Sequence, residues 1–108
     1  MIARAVRNDD AQARLERALA RHANAAGITV AVEQCRARAW ASATFEGVQL
    51  DLTLAASPAD AARHWLAALA EVDLPMRGHV AMPPAIDAVY PRGEDMVATL
   101  TLLVLIDG

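Results

Sequence analysis

Cys35 is the single cysteine of the chain, and the neighbouring Arg36 would favour its thiolate. A nucleophile also needs a base within hydrogen-bond reach, and the local sequence offers no histidine to act as one. Cys35 therefore reads as a small, partly buried side chain. Asp60 and His64 stand four apart, the spacing that brings two side chains together on one helix face; as a bare pair they read as a surface contact. The three histidines, His22, His64 and His79, are scattered, with neither a helical pair four apart nor paired cysteines to hold zinc. Trp40, Ser42, Asp51 and Thr53 form a small polar group beside an aromatic, to which His79 can be added, and this is the one candidate pocket. Cross-strand Ser/Asp and Thr pairs are also ordinary on solvated sheet faces. Arg14, Arg17 and Arg21 line one helix face but are offset by Asp10 and Glu16, as on a solvated surface. No P-loop, G-x-G-x-x-G or G-x-S-x-G occurs, so no catalytic residue, cofactor or metal ligand is assigned.

The elements that must position these residues are legible from periodicity and punctuation. Asn8 to Ala26 reads as a helix capped by Asn8 or Asp9 and stopped at Gly27, with a thin stripe of Leu15, Ala18, Leu19, His22 and Ala26. Ahead of it, Ile2 to Val6 alternates weakly, as a short edge strand would. Ile28, Val30 and Val32 alternate as a strand, and the phase slips between Gln34 and Ala37, which implies a bulge or a turn. The alternation resumes from Arg38 to Phe45, and Glu46-Gly47 looks like a two-residue hairpin connection into Val48 to Ala55. Such a loop pairs Ala43 with Leu50, Ala41 with Leu52 and Ala39 with Leu54 on the core side. It pairs Ser42 with Asp51 and Trp40 with Thr53 on the outer side.

Ser57-Pro58-Ala59-Asp60 reads as a helix start with serine as the cap, followed by a stripe of Ala62, Trp65, Leu66, Leu69 and Val72. A broken strand from His79 to Tyr90 carries Pro83-Pro84, which cannot donate ladder hydrogen bonds and so belongs at a sheet edge or bulge. Pro91 to Asp95 turns the chain into the last strand. That strand, Met96 to Ile106 (MVATLTLLVLI), is uncharged and apolar on both of its faces towards its end, and so calls for cover on both.

The chain has 108 residues, enough for one domain spanning 1–108. Its net charge of -3 argues against the counterion-displacing contacts of nucleic-acid binding, so no DNA or RNA partner is expected. All ten basic residues are arginine, which together with abundant alanine suggests a GC-rich bacterial origin. One cysteine, no leader-like segment and no apolar run near the ~20 residues of a membrane span point to a cytoplasmic protein without membrane contact.

The expected architecture is α+β: an antiparallel sheet of four to five strands with two helices packed on one face, in the order helix, strands, helix, strands. Helices on one side leave the other bare. The bare side is expected to carry Trp40, Leu103 and Leu105, a candidate interface for a homodimer. The chain thus reads as a non-catalytic self-associating or binding module that uses a sheet face or an edge strand. The alternative is a small enzyme or small-molecule binder with its pocket near Trp40, Ser42 and Asp51.

Overall fold

The computed structural model describes the backbone of residues 2–106 and the side chains of residues 10–106. Helix α1 (Ile2–Ala25) leads into a long hairpin of β1 (Thr29–Ala41) and β2 (Glu46–Ser57), followed by α2 (Ala59–Ala68) and a 3-10 turn over Leu69–Glu71. Short strands β3 (Pro75–Met76) and β4 (His79–Ala81) precede β5 (Ala85–Arg92) and β6 (Asp95–Ile106). The fold is α+β. All strand pairs are antiparallel, and the sheet has six strands, not four or five.

The strand order is β1-β2-β6-β4-β3, with β5 pairing β6 along its first half on the side where β4 pairs its end. β4 and β5 are the broken strand of the sequence, and Pro83-Pro84 fall in the gap between them, where no ladder proton is required. β6 therefore lies inside the sheet. Its apolar rows are those of a central strand, and its own edges are both occupied.

One face of the sheet, here the inner face, carries Val48, Leu50, Leu52, Leu54 and Ala56 of β2 opposite Val104, Leu102, Leu100, Ala98 and Met96 of β6. These merge with Leu15 and Leu19 of α1 and with Ala62, Trp65, Leu66 and Leu69 from α2 and its following turn into one buried cluster. Both helices thus cover the inner face. Trp65 donates its indole N–H to Nδ1 of His22 at 2.8 Å, which ties α2 to α1 and satisfies a nearly buried donor. Arg14, oriented by Asp10 of the same helix at 2.9 Å, holds α1 in a second place through the Arg77 carbonyl at 3.1 Å.

Local details depart from the sequence reading at four places. The register of β1 on β2 shifts between Val32 and Gln34, so the phase slip is a bulge at Glu33. It lets Val30 and Val32 before it, and Cys35 and Ala37 after it, all pack on the inner cluster. The hairpin loop is Ser42–Phe45, not Glu46-Gly47. Ser42 Oγ accepts from the amides of Thr44 and Phe45 at 3.3 and 3.1 Å, which closes the loop, while Trp40 pairs with Gly47 and Ala41 with Glu46. Ile2 to Val6 is helical rather than a strand, so Asn8 and Asp9 lie within α1 and not at its start. Ser57 ends β2, and the N-cap of α2 is Pro58, whose carbonyl accepts from the Ala62 amide at 2.9 Å.

Candidate functional site

The outer face is built by the alternate residues of the same long strands, and no helix covers it. Its rows run across the sheet. At one end Trp40 of β1, Gly47 of β2, Leu105 of β6 and Val80 of β4 share a row, and the next is Arg38, Gln49 and Leu103, with the Met82 amide donating to the Leu103 carbonyl at 2.8 Å. Trp40 is 39 % exposed, Met82 41 % and Val80 52 %, while Leu103 and Leu105 are half-buried. Phe45, in the adjoining loop, is exposed as well. Trp40, Leu103 and Leu105 therefore share the face that alternation assigned to them.

Gly47 explains the packing at this end. A Cβ built there would lie 2.8 Å from the Val104 carbonyl oxygen, 3.3 Å from Leu105 Cδ2 and 3.4 Å from Trp40 Cε3. The indole and the leucine both lean over the glycine, and the absent side chain makes room for them.

The middle of the face is polar. Arg36 pairs with Asp51, which pairs with Thr101, and Asp87 at the β5 bulge reaches the same level from the other side. Thr101 Oγ1 lies 3.0 Å from Asp51 Oδ1 and 2.9 Å from Asp87 Oδ2. One hydroxyl carries one proton, so it serves the two carboxylates in turn and leaves acceptor capacity on both. Arg38 Nη2 approaches Asp51 Oδ2 at 3.9 Å, whereas among the described residues Arg36 and Asp87 make no ion pair. A shallow cavity of about 260 Å³ lies here, lined by Arg36, Asp51, Thr53, Asp87 and Thr101 among others.

The far end of the face is closed. Ala55 and Val97 point outward by register yet are 7 % and 0 % exposed, outside the inner cluster. Arg92 of β5 and Glu33 at the β1 bulge form an ion pair through both terminal guanidinium nitrogens. Because β2 and β6 lie between β1 and β5, this bridge spans the two strands that carry Ala55 and Val97. The Arg92 guanidinium lowers the pKa of Glu33, chiefly by hydrogen bonding, and Glu33 raises that of Arg92 in the same way.

Comparison of the chain with protein-family models, with curated proteins and with solved structures finds no match in any of the three. The site alone carries the functional argument.

The residues singled out for a pocket are not brought together. Asp51 lines the polar cavity, but Trp40 and Ser42 do not; Ser42 closes the hairpin loop instead of pairing with Asp51. His79 shares a row with Ile106 and sits beside Asp10, its Nε2 3.8 Å from Asp10 Oδ2, next to α1 rather than on the outer face. His64 contacts the Asp60 carbonyl rather than the Asp60 carboxylate. The Cys35 thiol is pushed up to about 11, first by burial and then by the charges of Glu16 and Asp51, which outweigh any help from Arg36. Among the described residues no group of three His, Cys, Asp or Glu side chains is placed to share a metal ion, and no helix is long and apolar enough to cross a membrane. Sequence reading overlooked Val80, Met82, Asp87 and Arg36 as parts of the outer face. The proline-broken segment hid the register of Val80, Met82 and Asp87, which its pairing with β6 sets, and the bulge at Glu33 hid that of Arg36.

Proposed function

We propose that the protein is a non-catalytic, self-associating module that packs the open end of its outer sheet face against a second copy. The observation that carries this reading is the row Trp40, Gly47, Leu105 and Val80, apolar from β1 to β4 and without cover. Trp40, Val80 and Met82 each retain apolar surface whose removal from water is worth about 1–2 kcal/mol, and a two-fold pair counts each twice. That sum competes with the cost of association, so a dimer held in the micromolar range is the fitting scale. Edge pairing by β6 is not available, since β2, β4 and β5 already flank it. The free edge of β1 is interrupted by the Glu33 bulge and charged at Arg36 and Arg38, devices that discourage strand addition.

Acrylamide quenching of tryptophan fluorescence tests the reading. Trp65 is buried, so the quenchable signal comes from Trp40. Quenching falls as concentration rises through the micromolar range if Trp40 becomes covered, and quenching independent of concentration contradicts the proposal.

A second reading, binding of a small polar molecule, is favoured by the cavity around Asp51 and Thr101. Its test is whether Asp51→Asn abolishes a ligand-induced rise in melting temperature found by screening polar metabolites on the wild type. A wild type with no such ligand leaves this reading without support.

A further inference from the structure

The outer face is electrostatically lopsided in a way that selects one arrangement of two copies. Arg36 on β1 and Asp87 on β5 stand at the same level of the sheet, both exposed and without an ion-pair partner among the described residues. Strands β2 and β6 lie between them, and both residues line the cavity over those strands, yet no ion pair joins them among the described residues. Asp87 shares the single Thr101 proton with Asp51 and so keeps acceptor capacity.

Resting on the self-association reading above, we infer that two copies stack outer face to outer face about a two-fold axis parallel to β2 and β6. Arg36 of each then pairs with Asp87 of the other. Rotation about that axis lays the β1 side of one copy over the β4–β5 side of its mate and keeps the ends aligned. Arg36 meets Asp87 twice, Trp40 lies over Val80, and Leu105 faces the gap at Gly47. The other in-plane axis, perpendicular to the strands, lays β1 over β1. It sets Arg36 against Arg36 and brings the apolar Trp40 row onto the end closed by Glu33 and Arg92. Like charges in register and a charged lid over tryptophan disfavour it. Both axes keep the strand directions aligned, the mode in which twisted sheets pack face to face, so the charges and the closed end decide between them.

Charge exchange between two variants tests the arrangement. In Arg36→Glu the copies set two carboxylates together at both ends of the interface, and in Asp87→Arg two guanidiniums, so each alone dimerises at least about tenfold more weakly than wild type. An equimolar mixture restores both pairs in the heterodimer. Native mass spectrometry separates the three dimers by mass, and circular dichroism confirms that each variant is folded. A heterodimer well above the statistical half of all dimers supports the axis. A wild-type dimer whose variants mix only statistically overturns this axis and leaves self-association standing, whereas a monomeric wild type overturns both.

Discussion

The ring of Trp40 lies over Gly47, the residue directly opposite it on β2, where an added Cβ would meet the indole at 3.4 Å and the Val104 carbonyl oxygen at 2.8 Å. A backbone oxygen cannot step aside as the end of a side chain can. Gly47→Ala is accordingly expected to destabilise the fold by about 1–3 kcal/mol, the range of overpacked sites. Urea unfolding measures it, and a change below about 0.5 kcal/mol would mean that the strands relax around the methyl at no cost.

Trp65 and His22 give a prediction of rank rather than of size. His22→Leu leaves the nearly buried indole N–H without its acceptor and is expected to cost about 1–3 kcal/mol. Trp65→Phe removes the donor along with the bond but also shrinks a well-packed ring. The double variant His22→Leu/Trp65→Phe should therefore be more stable than the sum of the two single losses predicts. Strict additivity in urea unfolding would show that the hydrogen bond is idle.

Cys35 should be slow. With its thiol pushed up to about 11 against an ordinary value of 9.0, the folded protein at neutral pH carries about a hundredfold less thiolate than the unfolded chain. Alkylation by iodoacetamide is expected to be slower in buffer than in urea by about that factor, and to accelerate with pH up to about 11. The same shift makes stability fall between about pH 9 and 11, because the unfolded chain loses the proton first. Equal rates in buffer and urea would contradict the burial of the thiol.

The bridge from Glu33 to Arg92 acts at acid pH. The folded pKa of Glu33 is below its unfolded value, so its stabilisation is present above about pH 4.5 and is lost as pH falls through the depressed value. Arg92→Gln should unfold at a higher pH than wild type in acid titrations at low salt, and the difference should shrink in high salt. Coincident acid transitions would show that the bridge does not hold the closed end.

Much of the outer face was legible for a reason independent of the loop. The hairpin register expected from a Glu46-Gly47 turn and the observed one differ by six residues, Ala39 opposite Val48 rather than Leu54. An even shift keeps every side chain on its own face, so Trp40 stays outside and Leu50, Leu52 and Leu54 stay inside. The loop itself was misread because glycine signals a turn by habit, while Gly47 is there for the bulk of Trp40 and Leu105. Two-residue turns stand instead at Arg77-Gly78, where Met76 pairs with His79, and at Gly93-Glu94, where Arg92 pairs with Asp95; Gly78 and Gly93 take φ of 77° and 61°. The apolar terminal run calls for cover on both faces, and half of that cover is internal. Val97 is fully buried at the closed end, and Leu103 and Leu105 are the apolar side chains of that outer row that remain half-open. Nothing in the letters shows a bridge between Glu33 and Arg92, because it depends on how far β1 and β5 curl towards each other.

Self-association through the open end of the outer face is tested most directly by sedimentation equilibrium of the wild type and of Trp40→Arg, run side by side across the micromolar range. The wild type is expected to approach twice the 11.5 kDa of one chain, with Trp40→Arg remaining at one chain mass while keeping its fold by circular dichroism. A wild type at one chain mass throughout, or a Trp40→Arg protein that dimerises as tightly as wild type, would contradict it.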